Sequence, residues 1–160
     1  MNQYKTLFFG LMLTAVLLSC SSINAQEMKS EKSLYDRLGG TYAIATVVDD
    51  LIDRLLVNDV LNANPAIKEA RDRVPKAGLK FRLTALVCQA TGGPEIYKGR
   101  SMHDAHKHLN ITEKEWDAMA ADFKMSLDKF KVPEKEQQEL FDIIGSTKKD
   151  IVLKDSGTMD

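Results

Sequence analysis

Apolar residues recur at three- and four-residue steps along most of the chain, and the breaks between these runs are marked by Gly, Pro and Asn. From Thr41, the residues Ile44, Val47, Val48, Leu51, Ile52, Leu55 and Leu56 form a wide stripe that predicts a helix running to about Asn58. Asn62 to Pro65 break it, and a short polar helix is expected over Ala66–Arg73. Pro75 then opens a helix with Leu79, Leu83, Leu86, Val87 and Ala90 on one side, ended by Gly92-Gly93-Pro94. Thr112 and Glu115 have capping-box spacing, and Trp116, Met119, Ala120, Phe123, Leu127 and Phe130 follow at helical intervals. Pro133 suits the first turn of a last helix. Glu134 and Glu136 lie at its positive end, Lys148 and Lys149 near its negative end, and Leu140, Phe141, Ile144 and Ile151 face inward. Gly145 is a place where this helix can bend. No strand-period alternation or repeat is present, so the expected fold class is all-α.

The first residues follow a different rule. Lys5 precedes an apolar run from Leu7 to Leu18, followed by small and polar residues to Ala25. The run is short of the roughly 20 residues a membrane-spanning helix needs, which indicates an export signal. Leu17-Leu18-Ser19-Cys20 resembles a bacterial lipobox, whose cysteine is lipidated and becomes the mature N-terminus; Ile23-Asn24-Ala25 is a competing, ordinary cleavage site. A cysteine directly after an apolar run and a serine favours the lipobox. Residues 1–19 are then a signal peptide, 20–32 a flexible tether, 33–152 the folded domain and 153–160 a disordered tail. The expected location is the cell envelope, facing the periplasm and held to the membrane by a lipid on Cys20, with a free periplasmic protein as the alternative. Of the 2 cysteines only Cys88 is left to the domain, which excludes an intrachain disulfide. A length of 160 residues predicts one domain, and a net charge of -1 without a basic patch speaks against nucleic acid as a partner.

Candidate chemistry concentrates at the 3 histidines. His103 and His106 are three apart and can share a helical face, so with Asp104 or His108 they could bind zinc or copper. A closed site needs further ligands, and only Cys88 and scattered carboxylates are on offer. Solvation is therefore the expected role of His103 and His108. No constellation of catalytic acid, base and nucleophile is visible.

One set of motifs is specific. Leu34-Tyr35-Asp36-Arg37-Leu38-Gly39-Gly40, then Gly92-Gly93-Pro94-Glu95-Ile96-Tyr97-Lys98-Gly99-Arg100-Ser101-Met102 with His106 beyond it, resembles the group I truncated haemoglobins over residues 33 to 152. The resemblance implies a two-over-two helical sandwich enclosing haem b, with His106 as the proximal iron ligand and the helices at about Thr41–Asn58 and Pro75–Thr91 lining the distal side. A five-coordinate haem iron needs a neutral imidazole held through its other ring nitrogen, in a pocket that keeps bulk water away. Trp116, Met119 and Phe123 would pack on the proximal face and Leu79, Leu83 and Leu86 on the distal face, while Tyr97 and Met102 of the shared motif would also contact the cofactor.

The departures from the family pattern bear on activity. Ile52 falls where many members carry a distal tyrosine, and Leu79 and Leu83 fall where glutamine or another polar residue is common, so the expected distal pocket is apolar. The phenylalanine that usually wedges the haem is missing, its place falling within Asn62-Ala63-Asn64-Pro65. Arg82 is the nearest polar candidate and is expected to contact a haem propionate or solvent; Arg100 and Lys80 are further propionate candidates. The expected function is reversible binding of a diatomic gas (oxygen, nitric oxide or carbon monoxide), and any turnover, such as nitric oxide dioxygenation, would belong to the haem and an electron-donor reductase that the sequence does not identify. A non-haem metal-binding lipoprotein and a haem-less globin scaffold serving as an interaction module are the alternatives, which a Soret band separates from the first reading.

Overall fold

The computed structural model describes residues 31–153. The export signal, Cys20, the tether up to Ser30 and the tail from residue 154 lie outside the described residues. Eight helices follow in order: α1 (Leu34–Arg37), α2 (Gly40–Val57), α3 (Asp59–Asn62), α4 (Pro65–Arg73), α5 (Lys76–Ala90), α6 (Met102–His106), α7 (Glu113–Lys129) and α8 (Glu134–Ile151). Pairing beyond the helices reaches Leu153, whose N–H donates to the Ile111 carbonyl at 2.9 Å.

Each helix start carries a local cause. Asn58 and Asn64 accept the first free amides of α3 and α4, Val60 N and Ala66 N each at 2.9 Å, so the Asn-rich stretch that breaks the apolar pattern is two consecutive caps. Thr112 and Glu115 form the reciprocal capping box, with the Thr112 N–H donating to Glu115 Oε2 at 2.7 Å. Pro75 and Pro133 stand just outside α5 and α8 as their capping residues, and α8 runs unbroken through Gly145. Gly39 has φ +91°, which lets α1 turn sharply into α2. Gly93 is needed for space: a Cβ there would lie 2.5 Å from the Tyr35 ring and 2.8 Å from the Cys88 carbonyl.

Two helix pairs make the layers. α2 packs on α5 and α7, α7 packs on α8, and α6 lies against α8. Leu34, Leu51, Phe123, Leu127 and Leu140 form one core cluster between the pairs, and Ile44, Val48, Ile52 and Cys88 form a second between α2 and α5. Burying a side chain such as Leu127 contributes about 1.5–3 kcal/mol relative to leaving it exposed. Polar contacts fix the register. Asp50 of α2 accepts from Arg54 Nε at 2.7 Å, Ser126 Oγ at 2.9 Å and Lys129, which ties α2 to α7. Arg37 donates to Glu136 at 2.9 Å and Glu139 at 2.5 Å, which ties α1 to α8. The result is the all-α class with a two-over-two arrangement of α2 and α5 against α7 and α8.

Candidate functional site

A cavity of about 1530 Å³ opens between these layers, larger than the roughly 300–1,000 Å³ of ordinary small-molecule pockets. Its wall draws on α2, α4, α5, α6, α7 and α8 and is mostly apolar. The segment that brings α6 to it is held on both sides. Thr41 donates to the Glu95 carboxylate and pairs with the Tyr35 hydroxyl at 2.8 Å, while the Tyr97 N–H donates to Gln89 Oε1 at 2.6 Å. Ser101 then caps α6, accepting from Asp104 N at 3.1 Å, and the helix ends at His106.

His106 is partly buried in the cavity wall, and its Nδ1 lies 2.8 Å from the Met102 carbonyl oxygen. A carbonyl only accepts, so Nδ1 carries the proton and Nε2 keeps its lone pair. Burial pushes the pKa of His106 below the ordinary imidazole value, against the smaller opposing pull of the Met102 carbonyl. The ring is therefore neutral at pH 7, oriented, and equipped with one free nitrogen donor. In the same wall, Ile52 of α2, which is 2% exposed, and Leu79, Leu83 and Leu86 of α5 supply no hydrogen-bond donor. Trp116 and Phe123 of α7, each 7% exposed, line the wall with Met119.

The structure brings the residues expected at a cofactor site to this one cavity, Lys80 excepted: those just named, Met102, Tyr97, and Arg82 and Arg100 at exposed positions. Tyr97 donates its hydroxyl to the Arg100 carbonyl at 3.0 Å. Lys80 goes elsewhere. It points to the outer face of α5, paired with Asp49 and, at 2.6 Å, with Asp53 of α2, so it is not a cavity cation. His103 and His106 also part company: His103 has a side chain 64% exposed beside Asp104, while His106 turns inward. Among the described residues, no group of three or more His, Cys, Asp or Glu is placed to hold a metal ion. Cys88 is fully buried, and burial with the nearby Glu95 carboxylate raises its thiol pKa, which leaves it unreactive.

Sequence reasoning missed the contribution of α3 and α4. Leu61, Ile67, Arg71 and Val74 line the cavity beside the place where the wedge phenylalanine is missing, and Leu61 is buried. The signal was present in the spacing of Ile67, Arg71 and the capping Val74, but Lys68, Glu69, Asp72 and Arg73 lie between them and the stretch reads as polar. Arg71 carries a buried Nε that has no hydrogen-bond partner among the described residues.

Comparison with known proteins agrees with this geometry. The bacterial-like globin family matches residues 33–153. The chain is 34% identical over 106 residues to the group 1 truncated hemoglobin GlbN of Synechocystis, covering 64% of this chain and 81% of that protein. It is 25% identical over 127 residues to the group 1 truncated hemoglobin of Tetrahymena pyriformis, covering 79% of this chain and all of the relative. The crystal structure of the Tetrahymena pyriformis protein in its Fe(III) form superposes with a TM-score of 0.65 at 25% identity, covering 77% of this chain and 100% of that one. The 2/2 hemoglobin of Synechococcus, solved in the cyanomet state with covalently attached heme, gives 0.64 at 25% identity over 76% of this chain and 98% of that one. With a family match over residues 33–153 and the same helical sandwich as the solved truncated hemoglobins, this chain belongs to the group 1 truncated haemoglobins of the bacterial-like globin family.

Proposed function

We propose that this protein holds one haem b in the cavity, with His106 as the proximal ligand, and binds a diatomic gas reversibly on the opposite side. The observation that carries the reading is the state of His106: neutral, fixed through Nδ1 to the Met102 carbonyl, and offering Nε2 to a large apolar cavity. The donor set fits the group, since haem iron takes one neutral imidazole whose other nitrogen is hydrogen-bonded. When bound, the haem supplies an iron centre able to take up oxygen, nitric oxide or carbon monoxide. The chain's own residues do the rest. The bond from Nδ1 to Met102 sets the ring tautomer and rotation. Trp116, Met119 and Phe123 keep water from the proximal side, and Ile52, Leu79 and Leu83 give the distal side an apolar lining that solvates charge poorly. Ile52, Leu79 and Leu83 carry no hydrogen-bond donor, so they would favour a weakly polar gas over one that draws negative charge from the haem.

The same reading places the domain on a membrane of the cell envelope, facing the periplasm, through acylated Cys20. The lipobox order Leu17-Leu18-Ser19-Cys20 supports this, and a single lipid-bearing terminus with a short tether makes an anchor.

Two measurements test these statements separately. Titration of the purified protein with haem should give a Soret band saturating at one haem per chain; no band, or a band from loosely adsorbed haem alone, contradicts the first. Cys20→Ala should shift the protein from the membrane to the soluble fraction of the envelope; wild-type protein recovered unacylated and starting at Gln26 contradicts the second.

A further inference from the structure

We infer that the outer face of α2 and α5, around Tyr42, Phe81 and Ile96, lies against the lipid leaflet to which the chain is anchored; this rests on the lipid-anchor reading above. Tyr42, Phe81 and Ile96 are 90%, 76% and 72% exposed, and together with Ala45 and Ala85 they surround one shallow groove. Single exposed apolar side chains are ordinary, but three large ones gathered on one face mark a surface that meets something apolar. None of them lines the large cavity, so the haem reading leaves them unexplained. The charges bordering the groove are already matched. Lys80 pairs with Asp49 and, at 2.6 Å, with Asp53, and the Glu95 carboxylate accepts from Thr41. A leaflet would meet apolar groups and paired ions, with no bare charge to strip of water.

The place where the chain enters the domain selects a membrane as the occupant. Tyr35 donates its N–H to the Thr91 carbonyl at 2.8 Å, and a Cβ on Gly92 would lie 3.3 Å from that of Ser33, so the domain starts at the C-terminal end of α5. The same end carries two of the three groove residues: the Tyr35 hydroxyl pairs with Thr41, next to Tyr42, and Thr41 pairs with Glu95, next to Ile96. Cys20 lies at most about 45 Å along the chain from Ser33. A leaflet held within that reach is present at an effective concentration of about millimolar, at which a weak three-residue contact suffices. A tyrosine suits the headgroup level, and Lys98, exposed two residues beyond Ile96, suits an anionic headgroup. The docked layer is the one that brings Ile52, Leu79 and Leu83 to the cavity, which turns these helices toward a phase that dissolves apolar gases better than water does. A second copy of the chain would also cover an apolar face, but would not account for its position beside the anchored terminus.

The test is nitroxide accessibility in the acylated protein, expressed from the full chain and reconstituted into vesicles of phosphatidylethanolamine and phosphatidylglycerol. Phe81→Cys and, as the reference, Ala121→Cys at an exposed position of α7 are spin-labelled; Cys88 is fully buried and Cys20 acylated, so the introduced thiol is the one that reacts. A label immersed in a leaflet meets more oxygen and less of a water-soluble nickel chelate. Position 81 should be about fivefold less accessible to the chelate than position 121, and more accessible to oxygen. Adding Tyr42→Ser and Ile96→Ser, both at exposed positions outside the core, should return position 81 most of the way to the reference. Position 81 as open to the chelate as position 121 overturns the inference, as does immersion that the two serine substitutions leave unaltered. Shielding from oxygen and chelate alike marks a protein partner and also overturns it, and spin-spin broadening that vanishes on dilution with unlabelled protein identifies that partner as a second copy. Wild-type protein recovered without an acyl chain overturns the anchor reading and this one together, whereas an acylated protein with position 81 in water overturns this one alone.

Discussion

Replacing Ile52 with tyrosine should slow oxygen release by adding the hydroxyl that the distal pocket lacks. Ile52 is 2% exposed, packs with Val48 and Cys88 in the cluster between α2 and α5, and forms part of the cavity wall facing Leu79 and Leu83. A phenol at this position has the cavity to extend into, and one neutral hydrogen bond contributes about 0.5–1.5 kcal/mol, or roughly two- to twelvefold in a rate governed by it. The larger ring also strains the core, at about 1–3 kcal/mol of stability where it cannot be accommodated. Ile52→Phe is therefore the reference, since it carries the ring without the donor. Oxygen dissociation is measured by stopped-flow displacement with carbon monoxide, and carbon monoxide dissociation by displacement with nitric oxide. Relative to Ile52→Phe, Ile52→Tyr should release oxygen roughly two- to twelvefold more slowly and carbon monoxide nearly unchanged, because the less polar gas gains less from a donor. Identical oxygen rates in the two variants, together with strong acceleration in Arg82→Ala, would refute the apolar pocket and make Arg82 the distal donor.

Two further substitutions probe the frame that holds the site. Asp50→Asn should cost about 1–3 kcal/mol, because the Arg54, Ser126 and Lys129 donors lose their shared carboxylate. Those donors hold the Asp50 pKa far below the ordinary carboxylate value, so its contribution is complete above the unfolded pKa of about 4 and fades as the pH falls below it. The gap in Tm between wild type and Asp50→Asn should stay constant from neutral pH down to about 5 and narrow in more acid solution; a gap that widens on acidification contradicts the sign. Gly93→Ala should destabilise by about 1–3 kcal/mol, since the new Cβ meets the Tyr35 ring and the Cys88 carbonyl. Gly145→Ala, with nothing within 4 Å in mid-helix, should instead stabilise by up to about 1 kcal/mol; similar urea midpoints for the two would show that crowding at Gly93 is not what selects glycine there.

The long helices were legible because each carries a broad apolar stripe that packing then uses: α2, α5, α7 and α8 sit where the periodicity puts them, and the Thr112–Glu115 box is made as its spacing implies. α1 and α3 were not, because four residues hold no period; only Ser33 and Asn58, which cap them, betray them. The cavity wall from α2, α5, α6 and α7 could be read from stripes and from the family motif. The part from α4 could not, since the place of Arg71 depends on Asn62 behind it and on how closely that helix approaches the interior. Lys80 was misplaced for a related reason. Sequence alone makes it equivalent to Arg82, and only the position of Asp49 and Asp53 one helix away turns it outward.

The central claim is that a single neutral imidazole at His106 holds the haem, and replacing each histidine in turn tests it most directly. The Soret spectrum and haem stoichiometry of His106→Ala should collapse or change grossly, with partial recovery on adding imidazole to the solution, while His103→Ala and His108→Ala keep the wild-type spectrum. A His106→Ala protein with the wild-type spectrum and one haem per chain would contradict the account.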